Sequence, residues 1–296
     1  MFERFARSWA LVQASANVLR NDKELLVLPA VSGLCSLVLI AAFLAPAYMT
    51  GALQALAGEA HDSGQADATA TLTVYALLFV FYICQYFVVI FFNTALVGAA
   101  LLRLEGHNPT LGDAISIAMA RIGVIAGYAV ISATVGVLLR MIAERLGFVG
   151  RIVESLVGLA WTVSTFLVVP IIAARGVGPI EAVRESASLL RKTWGENLIG
   201  NGGIGLAISF VTLPVVIVGV GASMYLFGHP GMQVGGVMVA AVTVLAIAAI
   251  SIFGAALGGV YSAAVYQYAQ GGSVMRGFDR SLLEEAFRHK KGGSGA

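Results

Sequence analysis

Long, uninterrupted apolar runs constrain this chain more than any other feature of its sequence. Each approaches or exceeds the roughly 20 residues that a helix needs to cross the hydrocarbon core of a bilayer. A β-barrel would instead show segments of about ten residues with alternating polarity. The runs predict an all-α fold, a polytopic transmembrane helical bundle with cytosolic amphipathic helices and six spans, at residues 25–49, 71–102, 121–142, 152–174, 198–227 and 234–268.

The composition supports membrane insertion and excludes several other classes of protein. Of the 296 residues, 58% are hydrophobic and only 11% are charged, whereas an average soluble domain is about 25% charged. The net charge of +2 is too small to indicate binding to nucleic acid. Cys35 and Cys84 both lie inside apolar runs, so we interpret them as reduced residues of the bundle.

Basic residues are concentrated in alternate connections, and this bias predicts the orientation. Fifteen Lys and Arg residues fall in the N-terminal segment, the second-to-third connection, the fourth-to-fifth connection and the tail. The other side has three, Arg140, Arg145 and Arg151. Because cytosolic loops carry the excess of Lys and Arg, we expect a multi-pass protein of the plasma (inner) membrane with both termini in the cytosol.

Three of the predicted cytosolic segments have apolar residues at three- and four-residue steps, which is typical of amphipathic helices. The first, with aromatic anchors at Phe5 and Trp9, fits either a helix in the membrane surface or one packed on the protein itself. The second begins near Asn108. The third is expected to begin at Pro179 and end at Gly195, and its apolar stripe consists of Ile180, Val183, Ala187, Leu190 and Trp194.

The succession of one amphipathic stretch and two spans recurs along the chain. It favours a single membrane domain (1–291) built from three units, 1–104, 105–177 and 178–270, followed by an amphipathic tail (271–291) and a flexible end or tag (292–296). The identity between the units is weak, so convergent patterning is the alternative. The units share one orientation, and the inverted repeats of many secondary transporters are therefore not indicated.

Polar or helix-breaking residues within the spans are candidates for a transport pathway. Gln85 and Asn93 lie in the second span, and Gly202, Gly203 and Pro214 lie in the fifth. Broken helices line binding sites in transporters, which favours a polar pathway beside the fifth span. Close helix packing with an ordinary proline kink is the alternative interpretation of the same residues.

Charged residues lie only near the ends of the spans. Arg140, near the outer end of the third span, is expected to form a structural ion pair with Glu154 or with Glu144, because a short turn joins the third and fourth spans. The absence of Asp, Glu, His and Lys from the span centres argues against a proton pump with a carboxylate relay. GxxxG spacing, which permits close helix packing or a dimer interface, occurs at Gly123 and Gly127 and at Gly254 and Gly258.

The sequence contains no HExxH, GxSxG or GxxxxGK[ST] motif, so we expect neither an enzyme nor a bound cofactor or metal. The favoured function is a non-enzymatic membrane module that binds membrane lipids, a membrane-protein partner or a second copy of itself. A small-molecule transporter or channel is the alternative, and an intramembrane enzyme is a third class. The residues expected to contact lipid or a partner are Phe5, Trp9, Arg184, Arg191, Lys192 and Trp194. Ordinary positive-inside topology is the alternative explanation for the basic residues among them.

Two stretches carry a resemblance to a known group of proteins. They are FERFARSWALVQASANVLRNDKELLVLPAVSG at the start of the chain and EAVRESASLLRKTWGENLIG after the fourth predicted span. Together with the six-span layout, they resemble a prokaryotic family of integral membrane proteins of unknown function. That family is distantly similar to the membrane domain of some glycerophosphodiester phosphodiesterases. The resemblance implies the topology and brings no catalytic residue.

Overall fold

The computed structural model of the chain describes residues 23–49, 68–194, 203–229 and 231–270. These residues form helices and short turns without a strand, which confirms the predicted all-α class. Five of the helical segments are long and apolar enough to cross a membrane. After a 3-10 turn at Lys23–Leu26, the helices are α1 (Val27–Met49), α2 (Ala68–Leu104), α3 (Leu111–Ala120), α4 (Ile122–Ser164), α5 (Val168–Arg175), α6 (Pro179–Trp194), α7 (Gly203–Phe227) and α8 (Gln233–Ala269).

Helix α4 contains a reversal of direction at Gly147, where φ is 57° and ψ is −126°. A Cβ atom placed on Gly158 would lie 4.0 Å from Cδ1 of Leu139. In a straight helix the same two residues would be separated by roughly 28 Å along the axis. Residues 122–146 and 148–164 are therefore two antiparallel arms that contact each other, and α4 is the name of both arms together.

Two glycines allow this reversal. The φ and ψ angles of Gly147 belong to a region that side chains with a Cβ atom rarely adopt. Gly150 is buried against the end of the first arm, where a Cβ atom would lie 2.6 Å from the carbonyl oxygen of Ile142 and 2.9 Å from that of Ala143. The sequence predicted a turn at this point, and the glycines supply the backbone freedom that the turn needs.

The described residues divide into two compact units. The first contains residues 30–49, 68–98 and 112–189, in which α2 runs antiparallel to α1 and to the first arm of α4. The rings of Phe43 in α1 and Phe81 in α2 lie 5.4 Å apart. A Cβ atom on Gly136 of the first α4 arm would lie 3.5 Å from the Tyr86 hydroxyl oxygen of α2.

Helix α3 is the second of the predicted amphipathic helices, and it packs on α2 in the first unit. Ala114 and Ala118 of this helix are fully buried. A Cβ atom on Gly98 of α2 would lie 2.8 Å from Cγ2 of Ile117, so the glycine is what permits this close approach. The absence of a side chain at Gly98 therefore lets Ile117 seat α3 directly on α2.

The second unit contains residues 23–29, 99–111 and the described residues from 190 onwards. Its largest element is the antiparallel pair α7 and α8, which is connected by a short turn around His229. The Ser223 hydroxyl donates a hydrogen bond to the Gly236 carbonyl at 3.1 Å. At the other end of the pair, a Cβ atom on Gly254 would lie 2.7 Å from Cδ1 of Ile208.

Burial is uneven along the helices. Fully buried apolar side chains concentrate in residues 95–104, 167–173 and 256–266. Large apolar side chains are exposed over residues 34–48, 138–159 and 210–245. Apolar surface of this extent is unfavourable in water and favourable against lipid tails, so the exposed faces agree with the length and composition of the helices.

Candidate functional site

The first unit contains a break in the helical backbone between α4 and α5, within the fourth predicted span. Residues 165–167 form turns rather than helix. Pro170 explains the break, because proline has no amide hydrogen for the carbonyl four residues earlier and its ring collides with that carbonyl. We call residues 165–167 the helix break. At the far end of α5, Gly176 terminates the helix in a left-handed conformation.

Ser186 of α6 bridges the two sides of the helix break. Its hydroxyl donates a hydrogen bond to the Ser164 carbonyl at 2.7 Å and accepts one from the Leu167 amide at 3.1 Å. Ser186 is completely buried. A buried amide or carbonyl left without a partner costs about 1–3 kcal/mol. Helix α6 therefore supplies hydrogen bonds that the broken helix cannot make internally.

A small polar cluster lies beside the helix break. The buried hydroxyl of Tyr128 is within hydrogen-bonding reach of the side chains of Thr165 and Ser132. The Thr165 hydroxyl also donates to the carbonyl of Trp161 at 2.8 Å. Hydroxyl groups thus gather where the helical hydrogen-bond pattern is interrupted, which is how membrane proteins tolerate a break at depth.

Helix α6 is fastened to the first unit at several points besides Ser186. Glu185 forms an ion pair with Arg175 at the end of α5. A Cβ atom on Gly127 would lie 3.0 Å from the ring of Pro179, so the first turn of α6 packs closely on the first arm of α4. Ala182 is buried on the same face as Ser186. These contacts fix the rotation of α6 about its own axis.

The opposite face of α6 is exposed and combines the apolar Ile180 with the acidic Glu181, the polar Ser188 and two basic side chains. Ile180 is 60% exposed, and both Arg184 and Arg191 are exposed. The predicted stripe is therefore only partly correct. Leu190 is buried, and Val183 and Ala187 are half-buried, but Ile180 faces away from the protein. Lys192 and Trp194 belong to α6, although their side chains are not among those described.

The residues of the predicted polar pathway fall into both units. In the first unit, Gln85 donates a hydrogen bond to Ser36 of α1 at 2.9 Å, and Oε1 of Gln85 is buried without a partner among the described residues. Asn93 is half-buried further along α2. In the second unit, Gly203 begins α7, and Pro214 is exposed within it. The pathway stays a prediction.

Three other predicted residues lie outside the described part of the chain, namely Phe5, Trp9 and Gly202. Their proposed contacts with lipid, a partner or a pathway stay predictions.

The ion-pair partner of Arg140 lies one helical turn further along the same arm of α4. Nε of Arg140 donates to Oε1 of Glu144 at 2.8 Å, and the Arg140 guanidinium also lies 3.4 Å from the Tyr82 hydroxyl of α2. Of the two acids considered from the sequence, Glu144 is thus the partner and Glu154 is not, because Glu144 sits four residues away on the same helix face. Glu154 lies half-exposed on the second arm.

Each GxxxG pair contributes one packed glycine and one open glycine. Gly127 contacts Pro179, and Gly254 contacts Ile208, whereas a Cβ atom on Gly123 or Gly258 would meet nothing within 4 Å. The close contacts are therefore local and do not form a helix–helix seam along the whole motif.

Cavities and metal ligands do not single out a second site in the described residues. A depression of about 310 Å³ lies over the second arm of α4, and its lining residues, Phe148, Arg151, Ile152, Ser155 and Leu156, all come from that arm. In the same part of the chain, His, Cys, Asp and Glu residues form no group of three that is able to hold a metal ion.

Sequence reasoning missed the helix break with its serine bridge. Two signals in the sequence point to it. Pro170 lies inside an apolar run, and Ser186 lies four residues from both Ala182 and Leu190 on what becomes the buried face of α6.

Comparison with curated proteins finds no match for this chain. A sequence model of a family of unknown function, DUF6159, matches residues 72–277. The match includes α3 to α8 and most of α2. It includes the second of the two stretches that carry the resemblance noted above and leaves the first outside. Because the match covers more than half of its residues, the chain belongs to the family of unknown function DUF6159.

Proposed function

We propose that this protein is a non-enzymatic, multi-pass membrane module that binds anionic lipid headgroups at the cytosolic surface through the exposed face of α6. The observation that carries the proposal is the division of α6 into two faces. Its buried face is fixed by Ser186, Glu185 and Pro179. Its exposed face presents Arg184 and Arg191.

Six spans and cytosolic termini form part of the proposal. Residues 122–146 extend over roughly 37 Å at 1.5 Å per residue, enough to cross the hydrocarbon core alone. The second arm continues through α5, and the reversal at Gly147 makes the two segments a pair of spans. The guanidinium of Arg121 lies against Gly176, which supports a location of both ends of this pair on the same, basic side.

Arginine at a membrane surface favours an anionic partner. Each Lys or Arg near an anionic surface contributes about 1 kcal/mol to binding. Ile180 is exposed beside Arg184 and adds an apolar contact at the boundary between headgroups and acyl chains. Phospholipids with a phosphate and a net negative charge are therefore the class of ligand that this face fits.

Replacing Arg184 and Arg191 with Gln is expected to weaken retention of an anionic phospholipid. The loss of two contributions of about 1 kcal/mol corresponds to a roughly 30-fold weaker binding constant. The measurement is native mass spectrometry of the detergent-solubilised protein titrated with phosphatidylglycerol, with phosphatidylcholine as the neutral comparison.

The matched control is the double variant Arg145→Gln and Arg151→Gln, which removes the same charge from exposed positions near the Gly147 reversal. It should retain phosphatidylglycerol at a level close to the parent. Equal retention by the Arg184/Arg191 variant and the parent would contradict the proposal. A protein partner or a second copy lost only from the Arg184/Arg191 variant would assign the surface to that partner instead.

A transporter or channel is the second candidate, and the helix break favours it. Irregular backbone at membrane depth is tolerated where it is covered by protein or lines a water-filled cavity. The pathway would then lie beside the fourth span and the Tyr128 cluster, rather than beside the fifth. Release of a small fluorescent anion from liposomes containing the protein tests it, and a release rate equal to that of empty liposomes argues against it.

The likeness to the membrane domain of glycerophosphodiester phosphodiesterases stays a prediction. It leaves this proposal unchanged, because it brings no catalytic residue to the chain.

A further inference from the structure

We propose that helix α6 is a latch, through which anionic lipid on its exposed face controls the order of the helix break in the fourth span. The proposal rests on the lipid binding proposed above and adds its consequence for the interior of the protein. Its physical basis is that one helix carries both the lipid-facing arginines and the serine that bridges the break.

The break depends on an external hydrogen-bonding group. Ser164 is the last residue before the helix break and Leu167 is the last residue within it, and Pro170 prevents a regular helix from forming across it. The carbonyl of Ser164 and the amide of Leu167 are both engaged by the single hydroxyl of Ser186. When Ser186 withdraws, both groups lose this partner together, because one side chain serves them both.

The residue of α6 that faces lipid and the residue that contacts the helix break lie on opposite faces of the helix, not at opposite ends of it. Arg184 and Ser186 are two residues apart, which places them about 200° apart around the helix axis. Arg184 is exposed, whereas Ser186 is completely buried. A lipid that holds the arginine side against the membrane surface therefore also holds the serine side against the break.

In the open state α6 moves as one piece and gives up its other contacts with the first unit. Pro179 packs on Gly127 at the first turn, and Glu185 pairs with Arg175 on the segment that precedes α6. Between Arg175 and Pro179, Gly176 and Gly178 provide backbone freedom for a hinge. Movement of α6 about this point withdraws Ser186 and uncovers the polar cluster around Tyr128.

The proposal predicts that lipid binding and the order of the helix break are thermodynamically coupled. A lipid shifts the equilibrium between a latched and an open state only by the difference between its affinities for the two. Because Arg184 moves with Ser186, the latched state presents the arginine at a fixed position and the open state does not. Anionic lipid is thus expected to stabilise the ordered break, and an ordered break is expected to strengthen lipid binding in return.

Hydrogen–deuterium exchange tests the latch in the intact protein. The parent is placed in nanodiscs of phosphatidylcholine alone or with phosphatidylglycerol, and exchange is followed for peptides that contain residues 165–171. Anionic lipid is expected to slow the exchange of these amides by about fivefold or more, which is the lower end of typical allosteric coupling. Peptides from α7 and α8 serve as the internal reference and should exchange equally in both lipids.

Three variants test the serine bridge, the proline that causes the break and the specificity of the lipid response. Ser186→Ala should exchange rapidly at residues 165–171 in both lipids, with α7 and α8 unchanged as evidence of folding. Pro170→Ala restores an amide hydrogen and should exchange slowly in both lipids. Ser188→Ala, on the exposed face of the same helix, is the matched control and should respond to lipid like the parent.

The outcomes distinguish this proposal from the one on which it rests. If phosphatidylglycerol binding depends on Arg184 and Arg191 but exchange at the break is the same in both lipids, the latch is wrong and the lipid site stands. A Ser186→Ala variant that keeps the lipid response also overturns the latch. If the Arg184/Arg191 variant binds phosphatidylglycerol like the parent, the proposed lipid site fails, whatever the exchange shows.

Discussion

Cysteines introduced at positions 139 and 158 are expected to be joined rapidly by a short bifunctional thiol reagent. A Cβ atom at position 158 would lie 4.0 Å from the end of the Leu139 side chain. In an uninterrupted helix the two positions would be roughly 28 Å apart, beyond the reach of such a reagent. Mass spectrometry of proteolytic peptides detects the cross-link directly, after Cys35 and Cys84 have been replaced with Ala.

The cross-link tests the feature on which the count of six spans depends. The matched control pairs position 158 with position 138, whose leucine is 54% exposed and belongs to the outward side of the arm. This pair should react much more slowly. An absence of the 139–158 cross-link in folded protein would contradict the reversal at Gly147 and would leave one long helix in place of two spans.

The positions of most helices were predictable because apolar runs set them. The predicted spans at 71–102 and 234–268 correspond to α2 and α8. Helix α2 extends three residues further at its start and two at its end, and α8 extends one residue further at each end. The fifth span was predicted from residue 198, and α7 begins at Gly203. Hydropathy locates such segments well because lipid leaves the backbone few alternatives to a helix.

The position of the reversal between the third and fourth spans was predictable from the sequence, but its backbone geometry and glycine packing were not. Charged residues and glycines around residues 144–151 indicated a turn. The turn is tight because Gly147 reverses the backbone and Gly150 packs directly against the carbonyls of Ile142 and Ala143. A contact between a glycine and backbone atoms cannot be predicted from the hydropathy or charge pattern of the sequence.

The candidate site was less predictable because its parts are far apart in the sequence. The basic face of α6 was expected from the spacing of Arg184 and Arg191, and both are exposed. The role of Ser186 was not expected, since a serine on an amphipathic helix is ordinarily assigned to the polar side. Only the position of the helix break, 19 residues before Ser186, makes a buried hydroxyl favourable there.

Replacing Gly219 with Ala is expected to destabilise the α7–α8 pair by about 1–3 kcal/mol, the usual cost of overpacking. The added Cβ atom would overlap the hydroxyl and methyl groups of Thr243 and lie 2.8 Å from its Cβ atom. Thr243 has little freedom to move, because its hydroxyl donates to the Val239 carbonyl at 2.7 Å. Unfolding in mixed micelles of increasing SDS content measures the loss.

Gly221 provides the matched control two residues away in the same helix. A Cβ atom there would meet nothing within 4 Å, so Gly221→Ala should leave stability unchanged or raise it by up to about 1 kcal/mol through helix propensity. Adding Thr243→Ala to Gly219→Ala should recover part of the lost stability, because it removes the two groups that overlap the new Cβ atom. Equal stability of the Gly219 and Gly221 variants, or strict additivity of the Gly219 and Thr243 changes, would show that this glycine does not set the approach of the two helices.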